Sequence, residues 1–325
     1  MYRCLCLPFF LLSLSIPGSM FGQYPDTSGS GTVSRRQEII SSKPDRLSAR
    51  PNNVSLEING MYGFLMANQP KAYYVRNDQS RMLELNISRQ TDGSHSWHHA
   101  SNFPRTGLAI LYGGVGSAEH VGNILAIYPF IHFPLKRNSR WQMSFRLGTG
   151  LGWVGKPYDK ERNYKNLMIG THLNATISMR LQSELRLSQH VSMNAGISFS
   201  HLSNGTFRLP NLGLNVPAIS LGLRYHSEEK IIQATGSAPG KPPGMRYAMH
   251  VAGAFKQTYP LESKVGFVKL MQVEAFRNYR KSSRFGAGIM ISHDKSLSNE
   301  VANAPTYIFD KSDPQWQVGV YVGYH

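Results

Sequence analysis

Over residues 141 to 153 the chain alternates. Trp141, Met143, Phe145, Leu147, Thr149, Leu151 and Trp153 take one parity, while Gln142, Ser144, Arg146, Gly148, Gly150 and Gly152 take the other. Successive side chains of a β-strand point to opposite faces, so this stretch is a strand with one apolar face and one polar or small face. The same rule recurs at Tyr247, Met249, Val251 and Phe255, at Phe285, Ala287, Ile289 and Ile291, and at Trp316, Val318, Val320, Val322 and Tyr324. A soluble sandwich also alternates. Strands of about ten residues with aromatic ends and small residues on the polar face are instead the pattern of an antiparallel transmembrane β-barrel.

The N-terminus supports that choice. Met1-Tyr2-Arg3, an apolar run from Leu5 to Ile16, and the small residues Gly18, Ser19 and Gly22 have the layout of a secretory signal peptide, with cleavage expected near Gly22 (residues 1–22). Cys4 and Cys6, the only cysteines, leave with it, so the exported chain carries no disulfide framework, thiol chemistry or cysteine-built metal site. No later stretch reaches the roughly 20 apolar residues of a membrane helix. A net charge of +16 suits an anionic partner. Export argues against nucleic acid and leaves phosphorylated lipid, beside the plain alternative that the excess Lys and Arg coat solvent loops.

Residues 23–53, rich in Ser, Arg, Pro and Asn, read as a disordered arm. About twelve strands follow, starting near Val54, Arg81, Gly107, Val121, Trp141, Met168, Val191, Leu214, Arg246, Lys264, Arg284 and Gln315. Long connections (Gly155 to Asn166, Ser203 to Gly213, His293 to Asp313) alternate with short ones (Lys136 to Arg140, Ser188 to His190, Asn278 to Ser283), which places the long ones on the extracellular side. The connection over 227–245, with Ala238-Pro239-Gly240-Lys241-Pro242-Pro243-Gly244, is long where a short turn is due. Either a barrel over 54–226 closes after eight strands and a second unit follows, or residues 246–325 complete a larger barrel.

Chemistry is concentrated in Ile197-Ser198-Phe199-Ser200-His201-Leu202-Ser203-Asn204-Gly205 and on through Pro210-Asn211-Leu212-Gly213-Leu214-Asn215. His201 and Ser203 share the face of Ile197 and Phe199, which brings an imidazole beside a hydroxyl. That is the minimum pair for an activated nucleophile, because the hydroxyl needs a neighbouring base to take its proton. A third group must hold the imidazole, and Asn215, past the turn and in parity with Ile219, Leu221, Leu223 and Tyr225, faces the same way. The bland alternative is two polar residues at a strand end. Trp97-His98-His99 reads as a polar loop rather than a metal site, since adjacent strand residues point apart and no carboxylate is near in sequence. Glycines 148, 150 and 152 are not followed by a helix pattern and so do not read as a dinucleotide loop. Lys160-Glu161-Arg162 and Lys165 lie on an extracellular loop within reach of lipid phosphates or of solvent alone.

At His201-Leu202-Ser203-Asn204, with Pro210-Asn211, Gly213 and Asn215, the chain resembles the lipid A 3-O-deacylase (PagL-type) family, including the acyloxyacyl hydrolases, over about Arg105 to Tyr225. The resemblance implies an eight-stranded barrel of the bacterial outer membrane that hydrolyses an ester-linked acyl chain of lipid A. It implies Ser203 as nucleophile, His201 as base, and Asn204 with the Gly205 backbone N–H as oxyanion stabilisers. Its substrate would be lipopolysaccharide, and no metal or cofactor is required. The family's third catalytic residue is a glutamate, and here that position holds Asn215. An amide can fix the imidazole's tautomer but cannot stabilise the imidazolium by charge. Two other classes use the same residues: a non-enzymatic structural or adhesive barrel, and a phospholipase or acyltransferase barrel.

Overall fold

The computed structural model describes residues 54–66, 70–227, 244–258, 264–280, 283–297 and 315–324. The expected signal peptide, the arm over 23–53 and most of the 227–245 connection lie outside the described residues. Twelve strands follow in order: β1 Val54–Gly63, β2 Ser80–Gln90, β3 Arg105–Val115, β4 Asn123–Arg137, β5 Trp141–Val154, β6 Leu173–Arg186, β7 Val191–Ser203, β8 Leu214–His226, β9 Met245–Lys256, β10 Gly266–Arg280, β11 Ser283–Asp294 and β12 Trp316–Tyr324.

Strands β1 to β8 form a closed antiparallel barrel, and β9 to β12 form a separate four-stranded sheet in the order β12-β11-β10-β9. Closure is made by β1 on β8, from Ser55↔His226 to Gly63↔Ala218. That pairing corrects the option of one larger barrel completed by residues 246–325. With both edges of β1 used, no ladder position is left for β9.

Alternation decides which side chains fill the lumen. Outward positions such as Leu85, Ile197 and Ile219 are exposed, whereas Ser144, Arg146, Thr176, Arg180 and Gln182 are buried inside. Charges removed from water need partners. Glu84 takes Arg146 Nη2 at 2.6 Å and Arg180 Nη2 at 2.9 Å, and Tyr128 donates to it as well. Glu184 pairs with Arg105 at 3.0 Å and with Arg224. An eight-stranded barrel is just wide enough for side chains to fill, and these two clusters help fill this one. The glycines of β5 serve the same packing: a Cβ on Gly148 would lie 2.6 Å from the Tyr128 ring, so Gly148 makes room for an aromatic inside a narrow barrel.

Two local readings differ from the sequence expectation. The stretch beginning at Met168 is loop, and β6 starts at Leu173. Met168 and Ile169 alternate like a strand start, yet both are buried in the core, where their carbonyls accept from Gly213 N and Tyr158 N. Trp97-His98-His99, read from the sequence as a polar loop, is part of a helical turn, α1 (Ser96–Ala100). Helical geometry turns His98 Nδ1 to within 3.5 Å of Asp92 Oδ1, so a carboxylate does stand near it. Among the described residues no three or more His, Cys, Asp or Glu side chains are grouped to hold an ion.

The second sheet repeats the two-faced code. Tyr247, Met249, Val251, Met271, Val273, Ile289, Val318 and Val320 are exposed on one face. On the other, Tyr321 OH donates to Glu274 Oε2 at 2.6 Å and accepts from Gln272 Nε2 at 2.7 Å.

Candidate active site

The site lies at the long-loop end of the barrel, where β7 ends and the 204–213 connection leads into β8. The ladder between these strands sets His201 directly across from Asn215. Across that rung, His201 Nδ1 and Asn215 Oδ1 are 2.7 Å apart. Because an amide oxygen accepts, Nδ1 carries the proton and Nε2 is left with its lone pair. Asn215 is itself fixed: it is buried, and its backbone carbonyl accepts from Met66 N at 2.8 Å.

Gly213 determines where the imidazole can lie. Its φ of +79° is in the left-handed region, and a Cβ there would come within 2.7 Å of His201 Cε1. Glycine is therefore required twice over, by its backbone conformation and by the ring against it. Its N–H donates to Met168 O at 2.8 Å, which ties the connection to the neighbouring 155–172 loop.

Ser203 is the last residue of β7 and is buried. Its Oγ accepts from Gly205 N at 3.2 Å and from Asn211 Nδ2 at 2.9 Å. Among the described residues no hydrogen bond joins Ser203 Oγ to His201, although the two residues share a strand face. Asn204 is turned elsewhere, its Nδ2 donating to Arg208 O at 2.8 Å and Thr171 Oγ1 at 3.1 Å. Its backbone N–H donates to Asn211 Oδ1 at 3.3 Å. Asn211 thus bridges the Asn204 backbone and the Ser203 hydroxyl. The sequence reading quoted Asn211 within its motif but gave it no role.

Below the site, on the barrel's outer surface, Tyr62, Phe64, Ile197, Phe199, Pro217 and Ile219 line part of an open apolar groove of about 520 Å³. Phe199 and Pro217 are the outward neighbours of His201 and Asn215 along their strands, so the groove begins next to the His201–Asn215 rung. Lys160 and Glu161 lie on the adjacent 155–172 loop, both well exposed and 4.0 Å apart. Backbone N–H groups of Arg162 and Glu161 bond the Asp159 carboxylate there and hold its pKa below the usual carboxylate range.

The lipid A 3-O-deacylase (PagL) family matches residues 81–224, a span that includes His201, Ser203, Asn211 and Asn215. Among solved structures, the outer membrane enzyme PagL is 15% identical, covers 51% of this chain and 97% of its own, and has a TM-score of 0.36. Neisserial surface protein A (NspA) is 8% identical, covers 53% and 96% respectively, and has the same TM-score of 0.36. No curated protein matches the chain. The closed eight-stranded barrel is an outer-membrane barrel whose residues 81–224 are similar to the lipid A 3-O-deacylase (PagL) family.

Proposed function

We propose that this protein is an outer-membrane esterase that removes an ester-linked acyl chain from lipid A, with Ser203 as nucleophile, His201 as general base and Asn215 as the group that orients the imidazole. The observation carrying this reading is the 2.7 Å contact of His201 Nδ1 with Asn215 Oδ1 on the outer face of the barrel, two residues along β7 from Ser203. A lipid substrate reaches such a site directly from the membrane, with its acyl chain along the groove that Phe199 and Pro217 begin.

In the reaction, His201 Nε2 takes the Ser203 proton as Oγ attacks the ester carbonyl. Charge then develops on the carbonyl oxygen. The Gly205 N–H and the Asn211 amide, which already converge on Ser203 Oγ, are the donors placed to meet it. Asn204 supports them by holding Arg208, Thr171 and Asn211. The protonated His201 passes its proton to the leaving sugar hydroxyl, and water admitted by the same base releases the fatty acid from the acyl-enzyme. The loop cations and the net charge of +16 favour approach of a phosphorylated lipid.

The test is mass spectrometry of lipid A from cells expressing the protein or its Ser203→Ala variant at equal amounts of folded barrel. Loss of one ester-linked acyl chain with the wild type and not with the variant supports the reading. A product lacking an acyl chain of glycerophospholipid, with lipid A intact, would move it to the phospholipase class.

A further inference from the structure

The 204–213 connection carries every donor on Ser203, and its tip is held from outside the barrel. Gln257, immediately after β9, is buried, with 7% of its surface exposed. Its backbone N–H donates to Thr206 O at 2.8 Å, and its side-chain Oε1 accepts from Leu209 N at 2.7 Å. One residue just past the end of β9 therefore staples the two sides of the loop tip. Phe255, also on β9, meets Phe207 of the tip edge-to-face with ring centroids 6.2 Å apart.

The staple spans the part of the loop that most needs holding. Thr206 has φ +64°, a left-handed conformation that a β-branched residue adopts at a cost and keeps only when its surroundings fix it. Gly205, whose N–H bonds Ser203 Oγ, precedes Thr206, and Asn211, whose amide bonds the same oxygen, follows Leu209 and Pro210. Bonds inside the loop, Phe207 N on Asn204 O at 3.2 Å and Asn204 Nδ2 on Arg208 O at 2.8 Å, also brace the tip, and the Gln257 and Phe255 contacts are those that reach it from outside the barrel. The inner side of the loop has its own anchors, Gly213 N on Met168 O at 2.8 Å and Leu212 N on Leu167 O at 3.4 Å, and these do not reach the tip.

We infer that Gln257 is a positioning residue for catalysis, through which the β9–β12 sheet holds the Gly205 N–H and the Asn211 amide on Ser203. The inference rests on the esterase reading given above. It makes the second sheet part of the active-site scaffold, so that catalysis depends on a residue outside the barrel that bears the nucleophile.

The experiment compares the full-length protein with Gln257→Leu, Gln257→Glu and Ser203→Ala in detergent micelles with purified lipid A, measuring kcat and KM and checking barrel closure by heat-modifiable gel migration. Leucine removes the acceptor while leaving the backbone bond to Thr206. Glutamate retains an oxygen for Leu209 N. The expected result is a kcat for Gln257→Leu lower by about tenfold with KM little changed, and substantial recovery in Gln257→Glu. Wild-type kcat in Gln257→Leu, with Ser203→Ala inactive, overturns the inference and leaves the esterase reading standing. Equal loss in both Gln257 variants together with lost heat-modifiability also overturns it, since the residue would then serve folding alone. Full activity in Ser203→Ala overturns the esterase reading itself, and this inference with it.

Discussion

Asn215 faces His201 across one rung of the β7–β8 ladder, with Oδ1 2.7 Å from Nδ1. A neutral amide therefore occupies the place where a carboxylate would both orient and stabilise a charged imidazole. Asn215→Ala is expected to lose activity, because the imidazole is freed to rotate or change tautomer. Asn215→Glu is expected to match or exceed wild type, since each factor of ten in rate corresponds to only about 1.4 kcal/mol of added stabilisation. Steady-state deacylation rates at equal folded protein check both. An unimpaired Asn215→Ala enzyme removes Asn215 from the catalytic unit.

Gly213→Ala should cost activity without costing the barrel. The added methyl would sit 2.7 Å from His201 Cε1 at a backbone φ of +79°, so the ring must move and the connection must strain. The expected outcome is a kcat reduced by at least about tenfold with heat-modifiable migration retained. Wild-type kcat in Gly213→Ala would show that the ring's position against this glycine is not needed for turnover.

Asn211 and Asn204 separate two tasks. Asn211 Nδ2 is 2.9 Å from Ser203 Oγ, whereas the Asn204 amide holds Arg208 and Thr171. Asn211→Ala is expected to lower kcat by roughly 10²-fold with KM little changed, as loss of one oxyanion donor does. Asn204→Ala should act through the loop and have the smaller effect on kcat. If Asn204→Ala proves the more damaging of the two, its amide rather than that of Asn211 meets the oxyanion in the reacting complex.

Within the lumen, Glu84 neutralises Arg146 and Arg180, with both guanidinium groups within 2.9 Å of its carboxylate oxygens. Glu84→Ala leaves buried Arg146 without its paired anion and Arg180 with only Glu57 at 3.9 Å, and a loss of about 3–5 kcal/mol in the stability of the folded barrel is expected. Urea unfolding in lipid vesicles measures it. Because the cluster lies inside and the catalytic rung outside, activity per folded molecule should be little changed.

The strands, and the placing of the two proposed catalytic side chains on one face, were legible in the sequence because they obey a local rule. Parity alone puts His201 and Ser203 on the face of Ile197, and it places Asn215 there too, as the ladder confirms. Closure was not legible. Nothing local to Leu56 or Tyr225 says that they pair, and the alternation of β9 resembles that of β8. The Met168 stretch shows the same limit from the other side: its apolar residues are buried by loop packing rather than by a strand. Asn211 and Gln257 lie in connections with no periodicity, and their reach to Ser203 and to Leu209 exists only once the chain is folded. The proline-asparagine pair at 210–211 was the one signal available for the former.

The most direct test of the whole account is the acylation state of lipid A in cells expressing the wild-type protein, His201→Ala or Ser203→Ala, read by mass spectrometry with outer-membrane fractionation and heat-modifiable migration confirmed for each. Lipid A short of one ester-linked acyl chain is expected with the wild type only. The double variant is expected to be little worse than either single one, because the pair acts as a unit. Lipid A that loses the chain equally with Ser203→Ala, or that is unchanged by a correctly assembled wild-type barrel, would contradict the account.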